Sequence, residues 1–320
     1  MTSTGNFINL TSTKQKRAKL IEGFGKAKHC FAQECTDLEQ KFEDHIFEVY
    51  FPGFDDEALL EVTLRYGIFY LEEIDYQKKI HALRILNHLL DNSTRAKLGF
   101  NMRAQLLYET FGKYLNDKEC VEFLHSIGQS MLKLLAIMEP EYASGEHYYR
   151  KHSQTMGSML TNCYMTTNIS AKTVYYKNLI LFINQMGVFA SRHLDKSLAI
   201  AFDSIESSKI GLDFDKQSEF IESSIELIMT IVDTCSKRIH CHARPVLCHC
   251  IKILYFYGLN ATELKEKVDE KINLIDKVCQ IVEKVLKNDK TPKLVVEELK
   301  NLKNELKLDA NFKILIESII

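Results

Sequence analysis

The sequence predicts an all-α protein, a right-handed α-solenoid built of HEAT- or armadillo-like helix pairs. Three observations predict it. Apolar residues recur at helical steps: Tyr76, Ile80, Leu83, Leu86 and Leu90 follow one another at spacings of four, three, three and four. That pattern puts all of them on one helix face, and strand alternation is absent. Polar tracts that favour helix ends and turns, such as Asp91-Asn92-Ser93-Thr94 and Asn116-Asp117, separate one apolar run from the next. Helix pairs recur at intervals of roughly 40 residues, the spacing of HEAT and armadillo units, with no textual repeat. A helix with one apolar stripe and a polar back must stack on neighbours, and stacking in chain order gives a solenoid.

Taken in order, residues 1–13 read as a flexible, polar end and 14–320 as a single helical-repeat domain. The pattern from Lys14 to Tyr50 is helical, with a break near Cys35-Thr36-Asp37. Phe51-Pro52-Gly53-Phe54 is a turn, and Asp55-Asp56-Glu57 opens a helix that runs to about Glu73. The run from Tyr76 to Leu90 follows, then a face through Leu107, Phe111 and Tyr114. A further face carries Val121, Leu124, Ile127, Met131, Leu134 and Met138, and Pro140 stops it. Tyr142 to Thr166 is helical but weakly patterned. Ser170 to Met186 is a helix with Val174, Leu181 and Phe182 as apolar points, ended by Gly187. Leu194, Leu198, Ala201 and Ile205 form the next face, and Gly211 a loop. Ile221, Ile225, Ile228, Val232 and Cys235 form another, and Pro245 suits the first turn of a helix through Leu247, Ile251 and Leu254. Leu264, Val268, Ile275, Cys279, Val282 and Leu286 form a long stripe before Pro292 and an apolar end.

Composition bounds the function. The chain has 320 residues, 46% of them hydrophobic, with only 13 Gly and 4 Pro, so it can bury a core throughout. A net charge of −2 gives no basic footprint for nucleic acid. The local run Lys14, Lys16, Arg17 and Lys19 reads as a solvated helix start. Nine scattered cysteines, an odd count in a long chain, do not form a disulfide framework. No signal-peptide core and no run of transmembrane length is present, so no membrane partner is expected. The expectation is a soluble protein of a reducing compartment, the cytoplasm or also the nucleus.

Motifs of chemistry are weak. His240-Cys241-His242 and Cys248-His249-Cys250 contain zinc-ligand types. However, no C-x-x-C pair is present, and residues two apart on a helix point to different faces. Two buried cysteines with histidines at an exposed helix start is the favoured reading, so no metal is expected. Gly23-Phe24-Gly25-Lys26 lacks the Walker spacing. His147 and His152, five apart, do not share a face as H-E-x-x-H does. No G-x-S-x-G elbow occurs, and no Ser, Cys or Lys nucleophile has a recognisable base partner. No cofactor and no catalytic residue is expected. An all-helical enzyme with a site assembled from distant helices is the competing class.

One stretch carries a resemblance. Ala82 to Leu90 reads ALRILNHLL, followed by Asp91-Asn92-Ser93-Thr94, Leu98 and Arg103-Ala104-Gln105-Leu106-Leu107-Tyr108. It resembles the signature of the TELO-two-interacting protein two family, the smallest subunit of the Triple T complex. The likeness continues at Arg192-His193-Leu194 and more faintly at Arg238, Pro245-Val246-Leu247 and Lys252-Ile253-Leu254, covering roughly residues 75 to 260. Two departures stand out: Met102 directly precedes Arg103 where the family tends to have Asn, and Cys235-Ser236 stands where it tends to have Trp-Pro.

The resemblance implies a non-catalytic adaptor that joins two larger helical-repeat subunits. That complex works with the ninety-kilodalton heat-shock chaperone machinery to mature phosphatidylinositol-3-kinase-related kinases. An unrelated HEAT-like transport or trafficking adaptor is the alternative. Leu83, Leu86 and Leu107 are expected in the core with Tyr108 beside them, Asn92 at a cap or turn, and His88 hydrogen-bonded across that turn. Arg103, Arg192, His193 and Arg238 are candidate partner-binding residues; for Arg103 and Arg192, bracing of adjacent helices is the rival role. The end offers Phe312, Ile314, Leu315, Ile316, Ile319 and Ile320, six apolar residues within nine positions and too many for one narrow face. Phe312, Leu315, Ile316 and Ile319 are therefore further partner candidates.

Overall fold

Side-chain caps from Asp56, Asp75, Thr94 and Asn168 set where four of the described helices begin. The computed structural model describes residues 35–140, 149–207, 214–259 and 268–288, together with positions 291, 293 and 297. The described residues are helical in all their regular structure and contain no strand. No described helix is long and apolar enough to cross a membrane. The chain forms two compact units, the first drawn from Met1–Leu115 and Ser126–Glu141, the second from Asn116–His125 and Tyr142–Ile320.

The first unit contains α1 (Cys35–Phe47), α2 (Glu57–Leu71), α3 (Tyr76–Asn92), α4 (Arg95–Gly99) and α5 (Arg103–Tyr114). Most of α6 (Val121–Met138) belongs to it as well. Asp56 caps α2 by accepting from the Ala58 and Leu59 amides, Asp75 caps α3 through Gln77, and Thr94 caps α4 through Lys97. Helix α3 buries Ile80, Leu83, Leu86 and Leu90 as the periodicity predicts. Its neighbour α2 lies unusually close at Gly67, where a Cβ would stand 2.5 Å from Leu86 Cδ2. Asn87 donates to Ser130 at 2.9 Å and Lys133 pairs with Asp91 at 2.7 Å, tying α3 to α6.

The second unit contains α7 (Arg150–Met165), α8 (Ile169–Met186), α9 (Leu194–Ser207), α10 (Phe214–Thr234), the short α11 (Ser236–Ile239), α12 (Ala243–Leu259) and α13 (Val268–Leu286). Helix α10 is central and packs on α8, α9 and α13. It buries Phe220, Ile221, Ile225, Ile228 and Val232, with Cys235 just beyond its end. Tyr176 stacks on Phe220 with ring centroids 5.2 Å apart and donates its hydroxyl to the Ile200 carbonyl. Ser224 donates to the Ala201 carbonyl and accepts from Ser204, both at 2.9 Å. Asn178 reaches Leu124 and His125, which belong to this unit, through the Leu124 carbonyl and His125 Nδ1.

Several sequence expectations need correction. The onset of α6 is Val121, not Asn116-Asp117; Asp117 instead closes a turn by accepting from the Glu119 amide. The stripe of α13 is rotated: Val278, Ile281, Val282 and Val285 are buried, whereas Ile275, Cys279 and Leu286 are half-buried. The apolar stripe of that helix is two residues wide, in the pairs Leu274-Ile275, Val278-Cys279, Ile281-Val282 and Val285-Leu286, and its neighbours decide which edge is covered. Short α4 and the left-handed pair Asn101 and Met102 (φ 51° and 57°) were invisible to periodicity because neither spans a full apolar repeat. Residues 1–13, Gly211, Leu264 and the end from Phe312 to Ile320, including Leu315, Ile316 and Ile319, lie outside the described residues.

Two substitutions test this packing. Leu86→Ala should destabilise by about 2–5 kcal/mol, since its side chain is fully buried. Gly67→Ala should cost about 1–3 kcal/mol by forcing Leu86 and α2 apart. Urea denaturation of both, with exposed Leu106→Ala as the unaffected control, checks the assignment.

Candidate functional site

Gly187 ends α8 in a conformation reserved for glycine, with φ +54°, and its amide donates to the Ile183 carbonyl. The chain then makes a 3-10 turn over Gly187–His193, anchored by buried Ala190. Phe189 packs on Tyr149 at 5.4 Å, and Tyr149 in turn donates to the Gln185 carbonyl. Opposite, α10 stops at Thr234. The Cys235 carbonyl accepts from the Arg238 and Ile239 amides, turning the chain into α11, whose Ile239 is buried. Asn288, just beyond the end of α13, donates to the Ser236 carbonyl at 2.7 Å and closes the same corner.

These two corners enclose an open groove of about 390 Å³, lined by Val188, Phe189, Ser191, Arg192 and the run Thr234–Arg238. Arg192, Lys237 and Arg238 are exposed cations, and Ser191, Thr234 and Ser236 bring hydroxyls. Among the described residues, no carboxylate or imidazole lines the groove. The Arg192 guanidinium lies 5.9 Å from the centre of the Phe189 ring, a cation–π distance that restrains it. Burial pushes the Cys235 thiol up, against a smaller opposing pull from Arg238, so it stays protonated at neutral pH. The groove can therefore hold an anion by charge and hydrogen bonding.

Sequence reasoning named Arg192, His193 and Arg238 separately, and the structure brings Arg192 and Arg238 into one groove. His193 points elsewhere: its Nε2 meets the Ser153 hydroxyl at 2.7 Å, and burial, with Lys196 and Arg192 nearby, lowers its pKa. Lys237 and Ser236 were missed. The departure from the family pattern at Cys235-Ser236 marked the place, but nothing in the pattern showed that two corners meet there.

In the first unit the signature residues are structural. His88 donates to the Val49 carbonyl at 2.8 Å among the rings of Phe47, Tyr50 and Phe54. Asn92 accepts from the Phe51 amide at 2.7 Å and donates to the His88 carbonyl. Leu83 and Leu107 are buried, Tyr108 half-buried. Arg103 is only 4% exposed; its guanidinium pairs with Glu57, approaches Glu61 at 3.5 Å and donates to the Lys97 carbonyl. It braces α2 against α4 and α5, and holds the Glu57 carboxyl below the usual carboxylate range.

The His–Cys cluster disperses. Cys241 and Cys248 are exposed and Cys250 is buried. His242 pairs with Asp195 at 3.1 Å, and no group of three potential metal ligands gathers among the described residues. The expected pair of buried cysteines is thus corrected to one, and a histidine takes the other interior place. His249 is 3% exposed, with its ring 4.8 Å from that of Phe202. The phase of α12 decides this, since residue 249 falls on the face turned inward.

Compared with family models, with curated proteins and with solved structures, the chain matches none.

Burial pushes the His249 pKa down to about 4, with Lys252 adding to the shift. The unfolded chain, with an ordinary imidazole near 6.5, then binds more protons than the folded one between these values. Stability from this group is complete above about pH 6.5 and is lost as the pH falls towards 4, on the order of 3 kcal/mol in all. Urea unfolding across that range should show a slope that His249→Phe flattens.

Proposed function

We propose that the chain is a non-catalytic helical scaffold, the adaptor subunit of the Triple T co-chaperone complex. It would join the two larger helical-repeat subunits and so support maturation of phosphatidylinositol-3-kinase-related kinases by the ninety-kilodalton heat-shock chaperone machinery. The identity rests on the resemblance at Ala82–Tyr108. The binding role rests on one observation: Arg192 and Arg238 share an open groove whose lining carries cations and hydroxyls but, among the described residues, no carboxylate or imidazole.

The packing of the second unit supports the HEAT- or armadillo-like solenoid reading. Helix α7 packs on α8, α9 on α10, and α8 on α10 beyond it, the near-neighbour pattern of stacked repeats. Partner contact in the cytoplasm or nucleus follows from the adaptor role.

Affinity capture of the tagged chain from extract tests the proposal. Recovery of the two large Triple T subunits in stoichiometric amounts is expected. Depletion of the chain should lower the steady-state level of the kinases without changing their messenger RNA. Recovery of importins or coat proteins instead would replace this reading with a transport or trafficking adaptor.

A further inference from the structure

We propose that the groove formed by Gly187–His193 and the Thr234–Arg238 corner binds an acidic peptide segment of a protein partner, one that places an apolar side chain beside its carboxylates. The proposal rests on the adaptor reading for the existence of a protein partner, and adds which chemistry the partner presents and where.

Charge carries the argument. Two helix C-termini, those of α8 and α10, point their carbonyl ends towards these corners and bring about −0.5 charge each. Three cations line the groove, which leaves a net of about +2. The nearest acidic side chains along the chain are engaged elsewhere: Asp195 with His242 at 3.1 Å and Asp233 with Lys284 at 2.5 Å. Among the described residues, no ion pair involves Arg192, Lys237 or Arg238. A local excess of this size in a chain of net charge −2 is a matter of placement, not of composition.

Shape and chemistry select a peptide over a small anion. Arg192 stands on one corner and Lys237 and Arg238 on the other, and all three are exposed, so a lone phosphate held there would stay largely in water. Carboxylates spaced along an extended chain can meet each in turn. Arg192, restrained on Phe189, and Arg238 offer planar forks that match carboxylates in bidentate geometry. Val188, 63% exposed at the groove, gives an apolar side chain of the peptide a place to dock. A volume of about 390 Å³ suits a short segment of a partner.

The test is fluorescence anisotropy with the full chain and a fluorescein-labelled peptide in which a Glu-Asp run flanks one Leu. Saturable binding that weakens steeply with added salt is expected, with at least tenfold loss in the Arg192→Glu/Arg238→Glu variant at an unchanged melting temperature. Equal binding of a peptide with Gln and Asn in place of Glu and Asp overturns the proposal. So does binding unchanged in the double variant, and so does full displacement by equimolar inorganic phosphate, which would mark a small-anion site. Should the double variant melt lower, Arg192→Gln and Arg238→Gln singly supply the same readout. Peptide binding without capture of the Triple T subunits would remove the adaptor identity and leave the groove's ligand class standing. Capture of those subunits with no peptide binding would remove the groove inference alone.

Discussion

Helix α10 is enclosed on three sides by α8, α9 and α13, and the second unit depends on how that enclosure is satisfied. A helix covered in this way cannot keep a single narrow stripe. It buries Leu227 and Ile231 beside its main face, and Ser223 and Ser224 as well. Buried hydroxyls need partners, and Ser224 finds them in the Ala201 carbonyl and Ser204. Tyr176 solves the same problem across α8 by reaching the Ile200 carbonyl. On the rim, Lys177 with Glu219, Lys277 with Glu226 and Lys284 with Asp233 join α10 to its neighbours from the solvent side. Such exposed pairs contribute little individually, about 0–1 kcal/mol each, so the buried contacts set the register.

That fixed register places the groove. Thr234 ends α10 at a defined height, Cys235 turns the chain, and the Ser236 carbonyl is held by Asn288, just beyond the end of α13. The 3-10 turn after Gly187 comes from α8, the helix packed most intimately on α10. Cations near both helix ends are favourable to the helix dipoles, and their surplus over what those dipoles need is what makes the corner attractive to an anion.

The first unit uses polar residues differently. His88 and Asn92 pin the Val49–Phe54 turn to α3 through its backbone, and Arg103 spans α2, α4 and α5 with its guanidinium almost wholly enclosed. A buried guanidinium left without its carboxylates would be strongly unfavourable, so Glu57 and Glu61 are part of the same device. His88, Asn92 and Arg103 thus hold the first unit together from within.

Local physics made most helices legible. Period predicted α3, α6, α9 and α10 and most of their buried faces, because apolar stripes such as Leu83, Leu86 and Leu90 are written in a few consecutive residues, and the acidic run Asp55-Asp56-Glu57 marked where α2 begins. Three matters waited for the tertiary structure. Which edge of the α13 stripe is covered, and the inward turn of His249, depend on which neighbour lies against each helix. Arg103 sits enclosed between helices only because Glu57 and Glu61 approach it from α2. Arg192 and Arg238 are ordinary surface arginines along the chain. They become one site because α8 and α10 pack together and bring their C-terminal corners side by side, a long-range consequence of burial that no local pattern encodes.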